Sequence, residues 1–364
     1  MYIGNRDYFL TYVLQTDAEY LAAVLALADQ AYHTFQIPKS GGMRTIQAIK
    51  RDAPLYTLQK NLCRNFLDKI PLPIPATGFV KEESYLTFLK PHTGRAYYLR
   101  LDIQSFFDSI TTDMLEACFS EFFSESAPEN LADFLALCTY GGCLPQGAVT
   151  SPAISNVVFR QADQRILKYC QSFDTLYRSG QRLTEDIRYT RYADDMLFSS
   201  NYLDFSNAPY FIGMISGILR NCGFQLNKRK IKFGRNEISL SGFVVSENIH
   251  LSRKKLYPLN KLLHFLGKTD VYGSKTYRIR KAFFQQEDWL KQINELAILK
   301  GCGTLYFQSS QDLLNYLCGY RSFILSILKA NSAMDSNMQQ LSKKVKKIEL
   351  VIDCILSATS GGTR

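Results

Sequence analysis

The segment RYTRYADDMLFSS, residues 188–200, constrains the fold more than any other part of the sequence. Two adjacent carboxylates, Asp194 and Asp195, interrupt residues that otherwise favour β-strands, so the segment predicts a hairpin with an acidic tip. A turn alone is one explanation for them, because aspartate is common in turns. Neighbouring carboxylates also repel each other unless a cation offsets their charge, so a metal site is the second explanation.

A third aspartate precedes this hairpin by about 90 residues. Asp102 ends an apolar and aromatic stretch, AYYLRLD, that reads as a strand. Taken alone, it has the ordinary explanation of an acidic residue at a strand end or a helix cap. Nucleotidyl transfer, however, needs in-line positioning and charge neutralisation, which two divalent metals about 3.5–4 Å apart supply. Because Mg²⁺ binds through only one or two protein carboxylates, two or three aspartates from different strands suffice for this chemistry.

Helical and strand patterns alternate along the chain and predict an α+β fold. The first 35 residues have apolar side chains at helical spacing, and IPKSGGMRTI then reads as two short strands about a glycine turn. Strands interleave with helices through the middle of the chain. Beyond Ser252 the pattern is mostly helical again.

The charge balance favours a polyanionic partner. The net charge is +10, and residues 251–300 contain 11 Lys and Arg against 4 Asp and Glu. Such a surplus attracts a nucleic acid backbone, although solubility alone would also explain it. Hydrophobic residues make up 46% of the chain, which is enough to form cores and argues against wholesale disorder.

The cysteine pattern and the absence of long apolar runs predict a cytoplasmic protein without a membrane segment. Nine cysteines include no CxxC pair and lie mostly in apolar runs, as buried thiols do in a reducing compartment. No charged leader with an apolar core opens the sequence. The longest uncharged run, residues 134–159, is interrupted by Gly, Pro, Gln, Ser and Asn.

Several motifs in one order resemble the reverse transcriptase family. YADD is preceded by LDIQSFF about 90 residues earlier, and LPQGAVTSPAISN lies between them, as in the palm of that family. GFQLNKRK, then SLSGFVV as the primer-side hairpin, then LCGYRSFI follow in family order. IPKSGGMRTI resembles the fingers hairpin, and TGFVKEES resembles the element before the first palm strand. Together they span about 80% of the chain, residues 35–324.

The resemblance implies an α+β right-hand polymerase. Residues 1–98 would form fingers from N-terminal helices and a basic hairpin. Residues 99–250 would form a palm of antiparallel sheet plus helices, with a helical fingers insertion at about 111–140. Residues 251–364 would form a helical, basic thumb and a C-terminal extension, with the Lys and Arg of residues 253–300 following the phosphates.

Two departures concern the branch of the family. Retron enzymes often have Asn-Ala, two residues, then His where this chain has FLKPH at residues 88–92, and Val-Thr-Gly where it has Leu240-Ser241-Gly242. The departures favour another bacterial branch, such as the defence-associated or abortive-infection reverse transcriptases. The sequence is therefore expected to resemble the bacterial reverse transcriptases, either the retron-like enzymes or one of these other branches.

The resemblance also implies the catalytic residues. Asp102 and Asp194 match the metal-bridging carboxylates, and Asp195 matches the third, less direct one. All three would depend on Mg²⁺, with Mn²⁺ as an alternative.

Other positions match nucleotide and primer contacts. Phe107 matches the aromatic residue that excludes the ribose 2′-hydroxyl, with an ordinary core aromatic as the alternative. The other matched nucleotide contacts are Gln146 in the LPQG loop, Lys39 and Arg44 at the triphosphate, and Lys230 near the pyrophosphate, with Lys228, Arg229 and Lys232 as competitors. The primer positions are Tyr192 of YADD, which also suits strand packing, and Gly242 of the primer-side hairpin. Gly147 is expected to let the backbone approach the substrate closely.

The implied activity is RNA-directed DNA polymerisation from a 3′-hydroxyl with dNTPs. The expected partners are a noncoding RNA template and the DNA product, in bacterial antiphage defence, with a defence partner protein or self-association left open. Two alternatives remain. One is an untemplated or protein-primed DNA polymerase of abortive-infection type, and the other is a non-catalytic RNA-binding scaffold.

Overall fold

The structure of the chain, a computed structural model, describes residues 2–39, 42–177, 186–268, 278–279, 283–284, 288–299, 306–331 and 334–360. These residues belong to two units. The first comprises Met1–Pro91 and Ala96–Arg235, and the second comprises His92–Arg95 and Asn236–Arg364. Each unit combines helices with antiparallel sheet, so the α+β prediction is confirmed.

A four-stranded antiparallel sheet organises the first unit, in the order β4-β5-β3-β6. Its strands are β3 (Tyr97–Asp102), β4 (Arg188–Tyr192), β5 (Asp195–Ser200) and β6 (Lys232–Arg235). The predicted acidic hairpin is β4–β5. In the register of β3 with β5, Asp102 lies opposite Asp195, so the strand that ends in the early aspartate adjoins the strand that begins at the later pair.

The first unit also contains helices, most of which contribute side chains to one hydrophobic core with this sheet. They are α1 (Arg6–Tyr8), a π-helix (Phe9–Leu14), α2 (Ala18–Ala26), α3 (Pro54–Asn65), α4 (Tyr85–Leu89), α5 (Thr112–Phe119), α6 (Pro128–Cys138), α7 (Ser151–Tyr177) and α8 (Pro209–Asn221). Prolines begin α3, α6 and α8, where no amide is needed. Thr111 caps α5, and its hydroxyl accepts from the amide of Met114.

The N-terminal hairpin is longer than the sequence predicts. Its strands are β1 (Tyr32–Lys39) and β2 (Gly42–Ile49), and Tyr32 pairs with Ile49 at the far end. The prediction of helix through residue 35 is therefore wrong for residues 32–35. These residues pair across the hairpin, and this pairing outweighs the helical spacing of the preceding apolar residues.

The second unit contains a small sheet and long helices. The sheet has the order β7-β8-β9, from β7 (Ile238–Leu240), β8 (Phe243–Val245) and β9 (Ile249–Leu251). The other elements are α9 (Arg253–Leu266), the strand pair β10 (Gly267–Lys268) and β11 (Arg278–Ile279), α10 (Trp289–Leu299), α11 (Ser310–Ala330) and α12 (Ser336–Ser360). Of the predicted phosphate-following segment, residues 269–277, 280–282, 285–287 and 300 lie outside the described residues.

The second unit resumes at Asn236, so the sheet of residues 238–251 belongs to this unit and not to the unit that contains the four-stranded sheet. The division into fingers, palm and thumb at residues 98 and 250 stays a prediction. None of the described helices has the length and apolar character needed to cross a bilayer.

Candidate active site

Strand pairing brings the three predicted acids to one end of the four-stranded sheet. The amide of Ile103, directly after Asp102, donates to the carbonyl oxygen of Asp194 at 3.0 Å. Ala193 makes the turn between β4 and β5 with φ of 54°, a left-handed conformation that is uncommon outside glycine. The turn therefore places Asp194 beside the end of β3, next to Asp102.

Two side chains of the GFQLNKRK segment hold the carboxylate of Asp102. Lys230 Nζ lies 2.7 Å from Oδ2, and Asn227 Nδ2 donates to Oδ1 at 3.2 Å. The amide of Asn227 also donates to the carbonyl oxygen of Asp102 at 2.8 Å. Asp102 is 3% exposed, so an amide and an ammonium group satisfy a carboxylate that has almost no access to water.

Asp195 is paired with an arginine that the sequence analysis did not identify. Arg100 donates to Asp195 Oδ1 from Nε at 2.9 Å and from a terminal nitrogen at 2.5 Å. Arg100 stands two residues before Asp102 on β3, and residues two apart share a face of a strand. The spacing in LRLD was the available signal. This ion pair distinguishes the two adjacent acids, since Asp195 already has a cationic partner.

The pKa values of both adjacent acids are raised. Burial raises the pKa of Asp194, and the negative charges of Asp195 and Asp102 raise it further. Burial also raises the pKa of Asp195, but the neighbouring guanidinium of Arg100 opposes the shift. A cation bound beside Asp194 would favour its ionised form.

A cleft of about 950 Å³ lies in the first unit, and the residues that line it show whether the site suits a divalent metal. Asp102 and Asp194 line it, and this pair of oxygen donors fits Mg²⁺ or Mn²⁺. Among the described residues, no three acidic, histidine or cysteine side chains are grouped as a metal site. The arrangement therefore fits two direct carboxylate ligands, with Asp195 held by Arg100.

The same cleft contains most of the residues predicted to contact the nucleotide. Arg44 from β2, Gln146 from the LPQG loop and Lys230 line it, as do Lys228 and Arg229. Lys232, the other competitor of Lys230, lies on β6 opposite Arg100. Lys39 is at the end of β1, and its side chain is not among those the structure describes.

The structure gives Gly147 a different neighbour from the expected substrate. A Cβ at Gly147 would lie 2.6 Å from Cα of Ala48 on β2. The amide of Gly147 donates to the carbonyl oxygen of Gln47 at 3.0 Å, and its own carbonyl accepts from Ile49 at 3.2 Å. The missing side chain thus allows the LPQG loop to pair with the hairpin strand.

Phe107 and Tyr192 are both half-buried in an aromatic cluster. The ring centroid of Phe107 lies 5.4 Å from that of Phe106 and 6.3 Å from that of Phe79. The Tyr192 ring lies 5.9 Å from Phe79 and 5.0 Å from Tyr85. Phe106 is the member of the Phe106–Phe107 pair that lines the cleft, and the role of Phe107 as the sugar gate stays a prediction.

Gly242 lies in the second unit, in the turn between β7 and β8. Its φ of 87° explains the glycine, because other residues rarely adopt that conformation. Its contact with a primer stays a prediction.

Sequence reasoning gave no role to Arg191, which proves to be fully buried. Its guanidinium pairs with the equally buried Asp163, with Nε 3.0 and 3.1 Å and a terminal nitrogen 2.7 Å from the carboxylate oxygens. A terminal nitrogen also donates to the carbonyl oxygen of Ala193 at 3.2 Å and to Asn156 Oδ1 at 3.0 Å. Arg191 therefore supports the backbone of the turn that carries Asp194.

Comparisons with known proteins agree on the family. Residues 37–267 match the family model described as reverse transcriptase (RNA-dependent DNA polymerase). The Retron Ec86 reverse transcriptase of Escherichia coli is 29% identical over 276 residues, which cover 73% of this chain and 80% of that protein. The Retron Mx65 reverse transcriptase of Myxococcus xanthus is 31% identical over 255 residues, which cover 64% of this chain but only 55% of that protein.

Among solved structures, a telomerase from Candida albicans in complex with a TWJ fragment of telomeric RNA is similar. It is 13% identical, with a TM-score of 0.43, and the match covers 90% of this chain and 66% of that chain.

The likeness to retron enzymes stands despite the departures at residues 88–92 and 240–242, which had favoured another bacterial branch. The family model covers more than half of the chain. The expected α+β right-hand polymerase fold and the expected RNA-directed DNA polymerase activity are both confirmed. The chain belongs to the reverse transcriptase family.

Proposed function

We propose that the cleft at Asp102 and Asp194 extends a 3′-hydroxyl with deoxynucleotides by two-metal nucleotidyl transfer. The observation that carries the proposal is the composition of this cleft. Two carboxylates, one at the end of β3 and one in the turn between β4 and β5, share it with Arg44, Lys228 and Lys230. Oxygen ligands for a divalent cation thus share the cleft with cations suited to a triphosphate.

Mg²⁺, or Mn²⁺, held by Asp102 and Asp194 would activate the hydroxyl and stabilise the leaving oxygen. The protein's own residues do the positioning. Asn227 fixes the orientation of the Asp102 carboxylate. Arg100 holds Asp195, which acts as the third and less direct acid by supporting the turn rather than by facing the cleft.

The cations of the cleft neutralise the triphosphate. Arg44 lies on the hairpin, and Lys39 of the same hairpin is proposed to act with it. Lys230 lies beside Asp102. When a nucleotide binds, Lys230 is placed to exchange its contact with Asp102 for the pyrophosphate. Lys230 is preferred over Lys228, Arg229 and Lys232, because its ammonium group forms an ion pair with the predicted catalytic acid Asp102.

The remaining contacts concern the base, the sugar and the primer. Gln146 contacts the incoming nucleotide from the LPQG loop, and Phe107 crowds the 2′-position of its sugar. Tyr192 and Gly242 contact the primer end. The resemblance of their motifs supports these four roles, together with the position of Gln146 on the cleft wall.

The biological setting is proposed from the family resemblance alone, because a fold and its chemistry do not determine a pathway. The template is a noncoding RNA, the product is DNA, and the role is bacterial antiphage defence, with a partner protein or a second copy of the chain. The nine cysteines without a CxxC pair support the cytoplasm as the compartment.

Incorporation of labelled dNTPs on a primed RNA template tests the chemistry. Asp102→Asn and Asp194→Asn are expected to lose activity by at least about a hundredfold, as expected when a metal ligand is lost. Asp113→Asn, an exposed acid in the first turn of α5, is the matched control and should retain activity. Full activity of Asp102→Asn would overturn the proposed site.

The two alternatives have distinct outcomes. DNA covalently attached to the purified protein would indicate protein priming, and products without a template would indicate untemplated synthesis. If Asp194→Asn retained the full biological effect, the chain would act as a scaffold.

A further inference from the structure

Phe79 combines two properties that packing alone does not explain. Its φ is 62°, a left-handed conformation that is strained for a bulky residue. Phe79 is nevertheless 46% exposed, so the filling of a hydrophobic core does not explain its strained backbone conformation.

The surrounding chain holds Phe79 in this conformation. The amide of Thr77 donates to the carbonyl oxygen of Arg191 at 2.9 Å, and Asn156 Nδ2 donates to the carbonyl oxygen of Gly78 at 2.7 Å. A Cβ at Gly78 would lie 2.6 Å from the amide nitrogen of Ala193, so only glycine permits this approach. The loop is thus fastened to the backbone of the acidic turn, and the position of Phe79 is fixed relative to Asp194.

Phe79 lies between the two aromatic side chains to which the proposed function gives neighbouring roles. Its ring centroid is 6.3 Å from that of Phe107 and 5.9 Å from that of Tyr192. Of the three rings it is the most exposed. A strand whose last nucleotide rests near Tyr192, with the incoming sugar at Phe107, would therefore pass over Phe79.

We propose that the exposed face of Phe79 contacts the 3′-terminal nucleotide of the primer strand and positions its hydroxyl for attack. The proposal rests on the proposed function, because Phe107 and Tyr192 mark the path of the strand. Aromatic stacking is tolerant of base identity, which suits a contact that every successive terminal nucleotide must make. Phe79 is a positioning residue, since the reaction itself takes place at the neighbouring acids.

Binding of a labelled primer–template duplex without nucleotides tests the contact on the full chain. Phe79→Ala is expected to raise the dissociation constant about tenfold and the primer KM similarly, as removal of one stacking ring does. Phe79→Trp should retain binding. Ile74→Ala is the matched control, because Ile74 is 95% exposed in the preceding loop and should bind the duplex as the unchanged protein does.

Phe79→Gly separates the ring from the backbone. Glycine adopts a φ of 62° without strain, so this variant should unfold at a temperature no lower than Phe79→Ala, yet lose primer affinity to the same extent. If the glycine variant bound the duplex normally, the ring would not be the contact and the proposal would be overturned.

Two further results would also overturn the proposal. One is unchanged duplex affinity and primer KM in Phe79→Ala. The other is a loss of deoxynucleotide preference with unchanged primer binding, which would make Phe79 only a support for Phe107. Failure of the unchanged protein to bind any primer–template, by contrast, would reject the proposed function itself.

Discussion

Replacement of Arg191 by methionine should strongly destabilise the first unit. The change removes the cation from a pair in which both side chains are fully inaccessible to water. Asp163 would remain as a buried carboxylate, and breaking such a pair from one side costs about 3–5 kcal/mol. Tyr189 Oη still donates to Asp163 at 2.7 Å, so we expect the lower part of this range, about 3 kcal/mol.

Urea unfolding followed by circular dichroism measures the effect. Arg188→Met is the matched control, because Arg188 lies on the same strand with an exposed side chain and should change the unfolding free energy by no more than about 0.5 kcal/mol. Replacing both partners, Arg191→Met with Asp163→Leu, should recover much of the loss, since no unpaired charge remains buried. If Arg191→Met were as stable as Arg188→Met, the reasoning about the buried pair would be refuted.

Three further predictions concern the candidate active site and the loop beside it. Gly147→Ala should force the LPQG loop away from β2 and cost about 1–3 kcal/mol of unfolding free energy, whereas Gly213→Ala, with open space at its Cβ on α8, should be neutral or stabilising. Asp194→Asn should raise the melting temperature at pH 7 in a chelator. Above its raised pKa, ionisation of this buried acid lowers the stability of the folded state. The higher melting temperature of the variant should therefore disappear as the pH falls through that pKa. Equal melting temperatures of the two proteins at pH 7 would contradict this reasoning. Phe107→Val should lower the ratio of kcat/KM for deoxynucleotides over ribonucleotides by at least about tenfold, and an unchanged ratio would remove the sugar-gate role.

The polar partners of the site were harder to predict from the sequence than its acids. The three aspartates stand out because each ends or interrupts an apolar strand pattern, and the pairing of β3 with β5 brings them together. Arg100 and Arg191 belong to the same strands, but their importance depends on which face of the strand turns inward. Arg188 and Arg191 are three positions apart, so the sequence places them on opposite faces of the strand without showing which face is buried.

Long-range pairing explains the other differences. Residues 32–35 continue an apolar pattern of helical spacing, and only their partners on β2 make them a strand. Gly147 was expected to let the backbone approach the substrate closely, which stays a prediction, and the structure adds its close approach to β2. The close approach of Ala48 could not be predicted from the sequence, since the two residues are 99 positions apart.

The pairing of Gly147 with β2 also has a mechanical consequence. Arg44 stands on the hairpin and Gln146 on the loop, and backbone hydrogen bonds join these two segments between Gln47, Ile49 and Gly147. A displacement of the hairpin must carry the loop with it or break those bonds. The hairpin and the LPQG loop are therefore expected to move together as one rigid body when a nucleotide binds, and not independently of each other.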